Sequence, residues 1–163
     1  MEMVDGALDL SYDRFAELPI AQEIVRYHIE RVGIRPGDAV LDVGAGTGDS
    51  ALAILEHLKT NRGWEGRVVL VEPDVQALAT ARERLRECPM LEFREGTAEN
   101  LNDLGFQDGE FTVSVLSNVI HYLESAEALE RSLAALRRVT SRRLVAWSTF
   151  IKEAYVGKTS RFA

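Results

Sequence analysis

The stretch Val40-Leu41-Asp42-Val43-Gly44-Ala45-Gly46-Thr47-Gly48 joins an apolar run to three glycines at alternate positions. The run begins at Ala39, and the amphipathic segment Asp49–Thr60 follows the last glycine at once. That order spells a buried strand, a tight turn and a helix start. Glycine admits backbone conformations closed to other residues and leaves no Cβ between main chain and ligand. Amides at the start of the following helix suit an electron-rich group. A second apolar run, Val68-Val69-Leu70-Val71, ends in Glu72, about 24 residues past Gly48. In a strand–helix–strand unit, an acid at that place accepts hydrogen bonds from ribose hydroxyls. The pattern points to an adenosine-containing ligand.

The dinucleotide fingerprint G-x-G-x-x-G needs its third glycine one place later, where this chain has Asp49. A carboxylate there would repel a pyrophosphate lying over the same amides; a cationic sulfonium with an amino-acid tail meets no such conflict. A triphosphate loop of the form G-x-x-x-x-G-K-[ST] does not occur in the sequence. The D-x-G-x-G-x-G pattern, with its acid inside the strand, resembles the first motif of the class I S-adenosylmethionine-dependent methyltransferases. Glu72-Pro73-Asp74 resembles that family's second acidic loop, and Gly96-Thr97-Ala98-Glu99-Asn100-Leu101 its G-D-A-E-x-L segment. Phe111-Thr112-Val113-Ser114-Val115 resembles the F-D-x-V strand, and Val119-Ile120-His121-Tyr122 the L-H-H region after it. The resemblance runs from about Tyr12 to Trp147, in the family's order. Three positions depart from it: Thr97 and Thr112 stand where the family has Asp, and Val139–Arg143 carries no K-P-G-G turn.

The resemblance implies an α/β fold with a doubly wound, mostly parallel sheet, and S-adenosylmethionine as cofactor, with S-adenosylhomocysteine as product. It implies an enzyme, a transferase acting on a small-molecule acceptor by in-line displacement. Gly44, Ala45, Gly46 and Gly48 are then expected along the methionine part, with Asp42 binding the ammonium group through water or fixing the loop from beneath. Glu72, with Pro73, is expected at the ribose; Asp74 reads as the cap of the next helix. Thr97, Ala98 and Glu99 are expected at the adenine, although Glu99 reads equally as a solvated loop acid. Ser117 and Asn118 follow the fourth strand, where the sulfonium should point. His121 is the candidate general base, since imidazole titrates near neutrality; a histidine packed against the sheet is the competing reading. Tyr12 resembles the segment that folds over the cofactor and reads equally as a hydrophobic anchor.

Composition bounds these expectations. A chain of 163 residues with 46% hydrophobic content fits one packed domain. Net charge −7 and a pI near 5.0 oppose a nucleic-acid surface, which needs a basic field over phosphates. Arg137, Arg138, Arg142 and Arg143 cluster locally and read as a solvated helix end set against the helix dipole. The single cysteine, Cys88, cannot form an internal disulfide, and no apolar run approaches the roughly 20 residues that span a bilayer. A cytoplasmic location without membrane partner fits these facts. His28 and His57 have no partner at metal-ligand spacing, so no metal is expected.

Along the chain, residues 1–35 form an N-terminal helical segment, 38–150 the core and 151–163 a tail. Helices are expected over Ile20–Val32, with Ile24, Tyr27, His28 and Ile29 at helical spacing, over Asp49–Thr60, over Asp74–Glu87 and over Ala126–Val139. Strands are expected at Ala39–Val43, Arg67–Val71, Met90–Arg94, Phe111–Leu116 and Leu144–Phe150. The family's last two strands have no room in the 13 residues after Phe150. Leu144–Phe150 would then be a long apolar edge, which proteins usually cover. Truncation of a longer chain is the favoured expectation, with a homodimer through that edge beside it. The region that would complete the acceptor pocket is then missing, so the rival to an enzyme is a non-catalytic or partner-dependent cofactor-binding module.

Overall fold

The computed structural model describes residues 18–59 and 66–148 and the two-residue strands β1, Met3–Val4, and β2, Ala7–Leu8. Those two strands pair with each other, antiparallel. The main sheet contains β3 (Ala39–Val43), β4 (Arg67–Glu72), β5 (Leu91–Glu95), β6 (Phe111–Ser117) and β7 (Thr140–Trp147). Its order is β5-β4-β3-β6-β7, with every pair parallel. The chain winds outward from β3 in one direction and then, through β6, in the other. The reversal lies between β3 and β6, and ligands of such sheets bind beyond the carboxyl ends of the strands at that point.

Helices α1 (Pro19–Val32), α2 (Asp49–Lys59), α3 (Val75–Arg84) and α4 (Ala126–Val139) cover the sheet. Strand alternation divides the core in two. Val40, Val68 and Leu70 pack with residues of α1, α2 and α3, whereas Leu41, Val43, Val69 and Val71 pack with α4. Because both faces are covered there, the inner strands β3 and β4 are near-continuous apolar runs. The buried residues of α1 are Ala21, Val25, Ile29 and Val32. The expected stripe through Tyr27 is therefore turned: Tyr27 is exposed, with the Arg31 guanidinium 3.5 Å above its ring. His28 stacks on Trp147, centroids 4.9 Å apart.

The last strand begins four residues earlier than expected, at Thr140 rather than Leu144, and helix α4 enters it without a turn. Hydroxyls make this junction. Thr140 Oγ1 donates to Leu136 O at 2.5 Å, closing the helix, and lies 2.6 Å from Ser114 Oγ; Ser141 Oγ donates to Phe111 O. Pairing with β6 shifts by one residue here, from Phe111 opposite Thr140 to Val113 opposite Arg143. The basic cluster is only partly a helix end. Arg143 donates to Val32 O at 2.7 Å, and Arg142 to Gly33 O while pairing with Asp38, so both clasp the carboxyl end of α1. Arg138 binds Asp108, Asn102 and Phe106 O. Among the described residues β7 is an outer strand; Phe150 and the segment 151–163 lie outside them.

Candidate functional site

A cleft of about 760 Å³ opens beyond the carboxyl ends of β3, β4 and β6. Gly44, Ala45 and Gly46 line it beneath, Glu72 and Pro73 at the end of β4, Thr97, Ala98 and Glu99 after β5, and Ser117 and Asn118 after β6. These residues come from four separate segments, so the topology gathers what the sequence keeps apart.

The glycine loop is built by necessity at two positions. Gly44 has φ +71, and a Cβ there would lie 2.2 Å from Val119 Cγ2. Gly48 has φ +93, and a Cβ would lie 2.9 Å from Leu85 Cδ1, so the loop is pressed against α3. Gly48 itself does not line the cleft but lets the loop turn into α2, its amide donating to Ala45 O. The amides of Gly44 and Ala45 both donate to Val71 O, and Gly46 donates to Glu72 Oε2 at 2.8 Å.

Glu72 is 8% exposed, and its second oxygen accepts the Asp74 amide at 3.0 Å. Asp74 Oδ1 accepts the amides of Gln76 and Ala77, the capping geometry expected of it. Asp42 does not reach the cleft. It is fully buried within β3, and Ser50, a cleft residue in the first turn of α2, donates to its Oδ2 at 2.6 Å. Among the described residues its Oδ1 has no hydrogen-bond partner. Burial pushes the Asp42 carboxyl up to about 7; the Ser50 hydrogen bond opposes this, and the Glu72 and Asp49 charges add to it.

After β5, Thr97 Oγ1 accepts the Asn100 amide and Asn100 Oδ1 accepts the Thr97 amide, a reciprocal pair that shapes this loop. Glu99 lines the cleft and lies 3.6 Å from Arg131. Asn118, 4% exposed, has φ +58, the one non-glycine residue with positive φ among the described ones; its amide donates to Trp147 O. Asparagine is among the few residues that tolerate this conformation. His121 is not among the cleft-lining residues: its Nδ1 lies 3.1 Å from Ser148 Oγ. It occupies the short 3-10 helix Ile120–Tyr122, whose neighbouring residues point about 120° apart. Tyr122, 60% exposed, lines the cleft instead. Tyr12 lies outside the described residues.

Several cleft residues were not singled out from the sequence. Gln22 and Val25 arrive on α1 and Leu123 after β6, and nothing in local pattern marks them; Tyr122 lies in the Val119–Tyr122 motif, where His121 is the expected site residue. Arg84 matters most. From the last turn of α3 it donates to Thr47 O at 2.7 Å, to Thr47 Oγ1 and to Asp49 Oδ1 at 2.9 Å. Asp49, expected from the sequence to repel a pyrophosphate as a bare charge, is offset by Arg84. Among the described residues no group of three or more His, Cys, Asp or Glu is placed to hold a metal ion, and no helix is long and apolar enough to cross a membrane.

Comparison with known proteins places this geometry. A family model described as a methyltransferase domain matches residues 40–143, well over half of the chain. The ubiquinone/menaquinone biosynthesis C-methyltransferase UbiE of Hydrogenovibrio crunogenus is 32% identical over 112 residues, which are 66% of this chain and 42% of that protein. Its namesake from Xanthomonas oryzae pv. oryzae is 29% identical over 114 residues, covering 70% and 44%. The chain thus spans less than half the length of these curated relatives. Among solved structures, the YcgJ protein from Bacillus subtilis superposes with a TM-score of 0.66 at 22% identity, over 82% of this chain and 53% of that one. The trans-methyltransferase CalH in complex with SAH gives 0.63 at 20%, over 84% and 42%. At such identities the structural likeness speaks for the fold.

Proposed function

Since the chain belongs to the methyltransferase-domain family, we propose that it binds S-adenosylmethionine in the cleft above Gly44–Gly48 and directs methyl transfer to a small-molecule acceptor, leaving S-adenosylhomocysteine. One observation carries the reading: the glycine loop and the Glu72 carboxylate, joined by a hydrogen bond, face one cleft of about 760 Å³. The residues present fit the cofactor: Gly44, Ala45 and Gly46 line the cleft with little more than main chain, and the Glu72 carboxylate beside them keeps lone pairs for ribose hydroxyls.

When bound, the sulfonium supplies an electrophilic methyl group whose loss leaves a neutral thioether. The chain's part is to hold acceptor and methyl in line and to exclude water. Gly44, Ala45, Gly46 and Gly48 carry the backbone past the methionine portion, with Asp42 behind them. Glu72 and Pro73 receive the ribose. Thr97, Ala98 and Glu99 border the adenine, and Ser117 and Asn118 face the sulfur. The whole of residues 1–163 forms the cofactor-binding domain, in the cytoplasm, with no nucleic-acid or membrane partner. A homodimer forms through the outer edge of β7, where Leu144 and Val145 are partly buried and Ala146 is exposed.

A thermal-shift series tests the proposal. S-adenosylmethionine or S-adenosylhomocysteine at a hundredfold excess over its dissociation constant stabilises the native state by about 2.7 kcal/mol, and NADH does not. Stabilisation by NADH with both sulfur compounds inert would overturn it. A second reading, a cofactor-binding module without catalysis of its own, draws on the partial coverage of the curated relatives. Cofactor binding without turnover of any acceptor, even beside the longest reading frame that contains this chain, favours that reading.

A further inference from the structure

Asp42 lies behind the glycine loop, outside the cleft lining, and the proposed cofactor contacts give it no chemical task. It sits fully buried in the central strand, one oxygen bound by Ser50 and the other without a hydrogen-bond partner among the described residues. Ser50 links it to the cleft, which Ser50 lines and Asp42 does not. The charges around it are of one sign. From β4 the facing group is Glu72, and from α2 it is Asp49, whose own charge Arg84 of α3 offsets. Strand β6 places Val115 beside it and carries no ionisable side chain. No cation pairs with Asp42 among the described residues.

A buried acid between two other acids is most stable uncharged, and positive charge arriving nearby favours its ionised form. We propose that Asp42 is a proton-exchanging counter-charge for the cleft: entry of a cationic ligand drives a proton off its carboxyl, so that binding is coupled to proton release. The step breaks one O–H bond and delivers the proton to the buffer. This rests on the reading of the cleft as an S-adenosylmethionine site. It adds that the residue distinguishes ligands by charge. S-adenosylmethionine carries one more positive charge than S-adenosylhomocysteine, so it expels the larger fraction of a proton. That the carboxyl sits near neutrality in the ligand-free protein puts the exchange within reach of ordinary pH.

Isothermal titration at pH 6.5 in two buffers of different ionisation enthalpy counts the protons. With S-adenosylmethionine the whole chain should release on the order of half a proton per ligand, with S-adenosylhomocysteine clearly less. Affinity for the sulfonium ligand should rise roughly tenfold between pH 6 and pH 8. Asp42→Asn keeps the acceptor for Ser50 and should bind without proton release or pH dependence. Carboxyl carbon NMR on the unaltered protein gives a second measurement that no folding defect can obscure: the Asp42 midpoint should fall by about one pH unit or more on binding. Equal heats in the two buffers, the same release from Asp42→Asn, or an unmoved midpoint would each overturn the inference while leaving the cofactor reading intact. Failure of both ligands to bind would overturn the two together.

Discussion

Glu72 and Gly46 are directly joined, the Gly46 amide donating to Glu72 Oε2 at 2.8 Å while Oε1 accepts the Asp74 amide at 3.0 Å. The acid that closes β4 therefore fixes the glycine loop and the start of α3 relative to each other. Each carboxylate oxygen has two lone pairs, so capacity remains for ligand hydroxyls. On the proposed reading the loop holder is also the ligand acceptor, and mutation cannot remove one role alone.

Glu72→Ala should weaken S-adenosylmethionine binding by more than tenfold, since bonds to a charged group are worth about 1.5–3 kcal/mol. Asp74→Ala should lose about 1 kcal/mol of stability, as a helix cap does, with little change in affinity. Calorimetric titration and denaturation of both variants rank them. The opposite ranking would move the ribose away from Glu72.

Gly44→Ala should destabilise the fold by about 1–3 kcal/mol, because the residue must hold a positive φ and its Cβ would collide with Val119. Val119→Ala in the same chain should recover the steric part and not the backbone part. Chemical denaturation of the single and double variants measures the coupling. Strict additivity would show that the contact is relieved elsewhere.

Arg84→Ala should loosen the loop by freeing Thr47 and Asp49 together. The side chain is partly exposed, so the stability lost should be only about 1 kcal/mol. Arg84→Lys should restore the charge beside Asp49 but not the fork that reaches Thr47 as well. Hydrogen exchange at residues 46–50 reads the effect: faster in alanine, intermediate in lysine. Unchanged exchange would make the clasp incidental.

Asp42→Asn should change how stability follows pH. The native carboxyl titrates at about 7 and the unfolded one near 3.8, so the native state binds the extra proton between them. The contribution is whole below about pH 3.8 and is lost as pH rises through about 7. At pH 8 the asparagine variant should be the more stable, by up to roughly 4 kcal/mol on the linkage arithmetic, with the difference shrinking toward pH 4. Urea melts across that range check the sign. A variant less stable at pH 8 than at pH 4, relative to the parent, would contradict the titration.

What the sequence made legible was local. The glycines, Glu72 and the Asp74 cap sit where strand, turn and helix start follow one another, and covalent order already fixes their neighbours. The sheet followed from alternating strands and helices. What stayed hidden depends on packing between distant segments. Arg84 meets Thr47 across two elements, and no periodicity marks it. The start of the last strand is hidden because Thr140, Ser141, Arg142 and Arg143 read as a polar turn. Hydroxyl bonds to Leu136 O, Ser114 and Phe111 O make them strand instead. In α1 the apolar spacing allowed two registers, and docking on α2 selected the one through Val25 and Ile29.

The clasp of Arg142 and Arg143 on α1 also sets an order of events during synthesis. Helix α1 leaves the ribosome ahead of the main sheet, yet the carbonyl of Val32 waits 111 residues for the guanidinium that holds it. At about 5–20 residues per second that is roughly 6–22 s of nascent life. Through that interval Gln22 and Val25, which wall the cleft, ride on a helix whose carboxyl end is not yet anchored. The glycine loop and its acid are complete long before. The growing chain thus possesses the floor of its pocket early and a fixed wall only late, so full ligand affinity should appear in one step as β7 pairs, rather than accrue with length.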